Sequence, residues 1–125
     1  MNDNAFKMMP VDGAYVKALV ELVNACQMME VEINKVHLYQ NGWHITFKGH
    51  EGADAICHDG SYGSPYPWYE SEEQHANDWT RKSMWETIGF PWDCDDVSTH
   101  SAKELAFYLR ALNEGKSVWE ENEDC

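Results

Sequence analysis

The stretch from Val31 to Asp59 constrains the fold more than any other. An Asn41-Gly42 pair separates two apolar-rich runs, and Asn-Gly tolerates the positive φ values that a tight two-residue hairpin needs. After it, Trp43, Ile45 and Phe47 alternate with His44, Thr46 and Lys48, so one face is apolar and the other polar. Before it, Val31 and Ile33 share one face while Val36 and Leu38 share the other; a bulge near Asn34-Lys35 reconciles them. Gly49 to Gly52 marks a second turn, and Ala53 to Cys57 reads as a third strand. The expectation is an antiparallel sheet whose apolar face requires a cover.

Two helices flank this sheet in sequence. Asp12 stands as the N-cap of a helix over about 13–29, with Val16, Leu19, Val20, Val23 and Cys26 as its buried stripe and Tyr15 and Leu22 widening it. Ser101 and Glu104 form a capping box ahead of a second helix over about 102–113. Leu105, Phe107, Tyr108, Leu109 and Leu112 supply its buried side, and Gly115 its stop. The segment from Asp78 to Ile88 mixes helical and strand spacing; it reads as a turn or short helix and then a strand at about 84–90, stopped by Pro91. At 125 residues and 43% hydrophobic content the chain suffices for one core. The fold expected is α+β: three to four antiparallel strands with an N-terminal and a C-terminal helix packed on one face. It forms a single domain over 1–125, with a loose lead-in at 1–10 and an acidic tail at 116–125.

Charge narrows the function classes. The chain carries 22 acidic and 9 basic residues, a net charge of −13. It repels phosphate backbones, so neither direct nucleic-acid binding nor an anionic membrane surface is expected. Basic proteins and metal cations remain compatible partners, and plain solubility is the competing account of the acidity. Met1 to Phe6 lacks a basic region followed by an apolar run, so no signal peptide is expected. No stretch approaches the roughly 18 apolar residues of a membrane span. Cys26, Cys57, Cys94 and Cys125 show no Cys-x2-Cys spacing, which fits a cytoplasmic protein with reduced thiols.

Several groups are candidates for chemistry. His44, His50, Cys57, His58, Asp59, His75, Cys94 and His100 are all able to ligate a metal, yet none forms the paired spacing of a zinc site. Cys57 and His58 are strand neighbours, so their side chains point to opposite faces. Cys94 with His100 would make a thiol nucleophile, but Asp93, Asp95 and Asp96 beside it raise the thiol's pKa. The same three carboxylates lack the pattern of an EF-hand loop. No cofactor or metal is expected, and no catalytic residue is assigned.

The stretch Asp59 to Tyr69 holds two Gly, two Pro and four aromatics, Tyr62, Tyr66, Trp68 and Tyr69. It must be a loop, serving either as a binding surface or as a lid folded over the sheet. Carboxylates gather in three clusters: Glu70, Glu72, Glu73 and Asp78; Asp93, Asp95 and Asp96; and Glu114, Glu120, Glu121, Glu123 and Asp124. Carboxylates spread over a compact aromatic-rich body mimic phosphate spacing and suit a basic channel. In size and charge balance the chain resembles the small acidic inhibitors that phages make against host defence nucleases, the DNA-mimic anti-restriction and anti-CRISPR proteins. The resemblance is one of composition and carries over no residue. It implies protein binding in a host cytoplasm, against a basic partner or nucleoprotein complex that handles nucleic acid. The contact residues expected are Glu70, Glu72, Glu73, Asp78, Asp93, Asp95 and Asp96, with Tyr66, Trp68 and Tyr69 as apolar anchors. The alternatives are a small metal or thiol enzyme built on Cys57, His58 and Asp59, and a homodimeric accessory protein.

Overall fold

A computed structural model describes residues 12–67, 69–71, 75, 80–94 and 96–119. The lead-in expected at 1–10 and the tail from 120 onward lie outside the described residues. The chain runs α1 (Gly13–Met28), β1 (Ile33–Tyr39), β2 (Gly42–Phe47), β3 (Asp54–Cys57), β4 (Trp85–Ile88), a 3-10 turn (Pro91–Asp93), β5 (Ser98–His100) and α2 (Ala102–Asn113). The strands form one antiparallel meander in chain order, β1-β2-β3-β4-β5. This is the expected α+β class, with five strands where the sequence pattern suggested three or four. The added strand, β5, is only Ser98-Thr99-His100 and has no apolar alternation to announce it. Backbone pairing recruits it: Trp85 opposes His100 and Thr87 opposes Ser98. Among the described residues no helix is long and apolar enough to cross a membrane.

The bulge in β1 lies where the alternation requires it, between Ile33 and Lys35. The hairpin turn sits one residue earlier than the Asn-Gly pair suggests. Tyr39 pairs with Gly42, so Gln40 (φ 45°) and Asn41 (φ 64°) are the two left-handed residues of the turn. Gly42 serves another purpose. A Cβ there would stand 2.1 Å from the Cys57 carbonyl oxygen and 2.6 Å from His58 Cα. The glycine therefore permits β3 to close onto β2 at the hairpin end.

Cross-strand register sorts the side chains into two faces. Trp43 opposes Cys57, Ile45 opposes Ala55, and Ala55 opposes Thr87, so these lie on the face that the helices cover. Ile45, Phe47, Cys57 and Trp85 from that face join Tyr15 and Leu22 of α1 and Leu105 and Leu109 of α2 in one buried cluster. Burying each large apolar side chain contributes about 1.5–3 kcal/mol. The opposite face carries His44, Ile56, Glu86 and Thr99 in a row across the sheet. Val36 and Leu38 oppose Ile45 and Trp43, yet both are exposed because β1 is an edge strand at the margin of the helical cover.

α1 buries a different stripe from the one expected. Ala14, Tyr15, Ala18, Leu22, Ala25 and Cys26 face inward, Val16, Leu19 and Val23 are half-buried, and Val20 is 50% exposed. Small residues at the centre of the stripe allow a close approach to the neighbouring elements; the bulkier valines flank it. Asp12 is the N-cap residue, but its carbonyl, not its carboxylate, accepts from Tyr15 N (2.9 Å) and Val16 N (3.1 Å). At α2, Ser101 Oγ accepts from Glu104 N at 3.1 Å, the first half of the capping box. Phe107 is exposed, contrary to expectation, while Leu105 and Leu109 are fully buried. Gly115 (φ 73°) ends the helix as expected, with Lys116 N donating to Ala111 O at 2.8 Å.

Gly42→Ala is expected to destabilise the protein by about 2–3 kcal/mol or more, since its methyl group meets backbone and not a movable side chain. Gln40→Gly is expected to change stability by less than about 1 kcal/mol, because glycine adopts the same left-handed turn conformation and keeps the carbonyl that accepts from Asp59 N. Urea denaturation of the two variants checks both.

Candidate interaction site

The aromatic loop begins at Asp59, whose carboxylate ties three segments together. Tyr15 Oη of α1 donates to Oδ1 at 2.6 Å, and Asn41 Nδ2 of the hairpin turn donates to Oδ2 at 2.7 Å. Asp59 N in turn donates to Gln40 O at 3.0 Å. Ser64 Oγ lies 2.9 Å from the Tyr15 hydroxyl and extends the network into the loop. Burial, and then the Asp59 carboxylate, push the Tyr15 hydroxyl far above the usual tyrosine range, so it stays a proton donor. Ser61 closes a turn, donating to His58 O at 2.9 Å and accepting from His58 N at 3.1 Å.

Beyond this anchor the aromatics divide. Tyr66 is interior, at 3% exposure, not the surface anchor expected. Its ring stacks on His75 at 3.8 Å between centroids and 9° between planes, and meets Tyr15 edge-on at 5.3 Å. The Arg81 guanidinium carbon lies 4.6 Å from the Tyr66 ring centre, a cation–π contact. Burial first, with Asp12 next, pushes the Tyr66 hydroxyl up to about 12. Arg81 also donates to Pro65 O at 3.1 Å, and its Nη2 stands 3.4 Å from Glu70 Oε1. His75 Nδ1 lies 3.1 Å from Asp12 Oδ2, so the carboxylate expected to cap α1 instead holds the loop. Asp59, Tyr66, Glu70 and His75 line a cavity of about 280 Å³. Tyr62 and Tyr69 are outward, at 68% and 71% exposure. Tyr66 thus turns inward as the lid reading has it, while Tyr62 and Tyr69 lie on the surface. Trp68, Glu72, Glu73 and Asp78 lie outside the described residues.

The second acidic cluster also splits. Asp93 is buried and structural. Its Oδ1 accepts from Thr87 Oγ1 at 2.8 Å and from Ser98 Oγ, and its Oδ2 accepts from Phe90 N at 3.2 Å. A carboxylate spent on three donors inside the fold offers nothing to a partner. Asp96 is exposed, with Oδ1 accepting from Val97 N at 2.8 Å, while Asp95 lies outside the described residues.

From Asp93 a relay continues that sequence reading missed. Ser98 Oγ lies 2.7 Å from His100 Nε2, and His100 Nδ1 lies 2.6 Å from Glu104 Oε1. The Glu104 carboxylate, expected to complete the capping box, is used here instead. A serine, histidine and carboxylate in this order resemble a nucleophile, its base and an orienting group. The chemistry differs, because the single Ser98 hydroxyl proton goes to Asp93 and not to the ring. The relay joins β4, the 3-10 turn, β5 and α2. Its sequence trace is the alternation Ser98-x-His100 followed by Glu104 one helical turn on.

The Cys57-His58-Asp59 run does not assemble into a reactive centre. Cys57 is fully buried on the covered face, and burial pushes its thiol up to about 12. His58 Nδ1 lies 2.8 Å from Asp59 O, and its ring meets Tyr39 edge-on at 5.1 Å. Cys26 is likewise free, buried and raised to about 12 by burial. Cys94 is disulfide-bonded, contrary to the expectation of reduced thiols throughout, and its partner lies outside the described residues. His44 Nε2 is 3.0 Å from Asp54 Oδ2, but among the described residues no three His, Cys, Asp or Glu side chains converge to hold a metal ion.

Asp93→Ala is expected to cost roughly 2–4 kcal/mol in chemical denaturation, because it strands buried hydroxyl and amide donors. At pH 8 only about one part in ten thousand of a thiol with a pKa of about 12 is thiolate, so Cys26 and Cys57 are expected to resist alkylation until the protein is unfolded. Their raised values also set an alkaline limit. Their stabilising contribution is complete below the unfolded thiol pKa of about 8.5 and is lost as pH rises towards about 12, which denaturation at pH 7 to 11 reads.

No family model, no curated protein and no solved structure matches this chain.

Proposed function

We propose that this protein works by binding another protein, as an acidic inhibitor or regulator whose carboxylates occupy a basic nucleic-acid-binding surface. The observation that carries the reading is the excess of 22 acidic over 9 basic residues. Local pairing adds to it. Lys48 stands 3.4 Å from Glu32, Arg81 3.4 Å from Glu70, and Lys116 3.4 Å from Glu114. Arg110 lies 3.1 Å from Glu30 and 3.0 Å from Glu114. Cations held in such pairs project little field of their own, so the surplus carboxylates dominate at a distance.

In this reading Tyr69 and Tyr62 supply exposed aromatic contact area, and Asp96 supplies charge. Glu72, Glu73, Asp78, Asp95 and Trp68 complete the contact set. Glu70, tied to Arg81, orders the loop more than it meets a partner. A DNA mimic of the phage anti-restriction or anti-CRISPR kind is the specific form that the charge excess favours.

The immobilised protein is expected to retain basic nucleic-acid-handling proteins, release them with rising salt and lose them to competing duplex DNA. Glu72→Lys with Asp96→Lys is expected to weaken that retention by about tenfold or more with circular dichroism unchanged. A partner that is not basic, or retention indifferent to salt and to both substitutions, overturns the reading.

A further inference from the structure

A groove of about 690 Å³ lies between α1, the segment 82–84 that leads into β4, and the start of α2. Its chemistry is unlike the rest of the acidic surface. Met28, Met29 and Met84 contribute flexible apolar lining, and Met28 is 84% exposed. Lys17, Lys82 and Lys103 surround them, which is three of the chain's nine cations in one place. None of the three forms an ion pair with a described residue, whereas Lys48, Arg81, Lys116 and Arg110 all do. Only one described acidic side chain, Glu21, lines the groove. In a chain of net charge −13 this is a local reversal of sign around exposed apolar surface.

We propose that this groove docks an acidic amphipathic helix of a partner protein, its apolar side on the methionines and its carboxylates on the lysines. Methionine is unbranched and polarizable, so it adapts to the varied side chains of a helical face. The lysine stems extend the apolar floor while their ammonium groups stay at the rim to meet carboxylates. The amino end of α2 opens into the same groove and adds a favourable dipole for negative charge. A nucleic acid is the poorer occupant, because the phosphates beyond three lysines would face the acidic remainder of the surface. The groove shares no lining residue with the acidic contacts proposed above and is opposite to them in charge.

The test uses three probes: a synthetic helical peptide with Leu at helical spacing and Glu elsewhere, its counterpart with Lys in place of Glu, and palmitate. Methyl resonances of Met28, Met29 and Met84 report occupancy. The Glu peptide is expected to shift all three, the Lys peptide none, and Lys82→Glu with Lys103→Glu to weaken Glu-peptide binding by about tenfold or more. Both lysines are exposed, so the fold survives the change, and retention of a basic partner should persist in the same variant. The two readings can therefore fail separately. Silent methionine resonances with the Glu peptide, equal response to the Lys peptide, indifference to lysine reversal, or occupancy by palmitate alone overturns the proposal.

Discussion

Everything in this molecule depends on covering one face of a five-stranded sheet. Ile45, Phe47, Cys57 and Trp85 have no access to water on that face, and the sheet provides no second layer of its own. Two helices, one from each end of the described chain, supply the cover. Alanines on the buried sides of both, Ala14, Ala18 and Ala25 in α1 and Ala106 and Ala111 in α2, reduce the standoff between layers. The large side chains then fill the space from Tyr15, Leu22, Leu105 and Leu109. The polar ties, Asp59 to Tyr15 and the relay from Asp93 to Glu104, fasten loops and edge elements to this two-layer body.

The elements most legible in the sequence were those with a strong period. Alternation through Trp43 to Phe47 gave β2 and its faces, the bulge followed from the misfit between Ile33 and Val36, and Ser101 gave the start of α2. Less legible were features set by tertiary partners. The hairpin turn fell on Gln40-Asn41 because Gly42 was needed against the Cys57 carbonyl, and no local pattern records that approach. The buried stripe of α1 rotated away from its valines because small residues pack closer, which a scale of hydrophobicity alone does not weigh. β5 is polar in sequence and exists through its pairing with β4.

Candidate contact residues were harder still, since a carboxylate in a sequence does not declare whether it will face water or donors. Asp93 and Asp96 stand three positions apart in one acidic loop, yet one is buried against three donors and the other is exposed. Tyr66 and Tyr69 show the same divergence in the aromatic loop, where His75 and Arg81 hold the Tyr66 ring inside while Tyr69 stays largely exposed. Proline and glycine content identified the loop as irregular, but only long-range partners decide which aromatic turns inward.

The bulge at Asn34 has a consequence beyond reconciling two apolar faces. β1 is an outer strand of seven residues with partly exposed Val36, Leu38 and Tyr39, the kind of border onto which a further chain adds by hydrogen bonding. An extra residue twists that border and breaks its ladder, and Lys35 beside it places a charge where a newcomer would lie. Fibril growth from this rim is thus resisted by shape as well as by the mutual repulsion of acidic molecules. The shape barrier persists when salt or a cationic partner neutralises the charge.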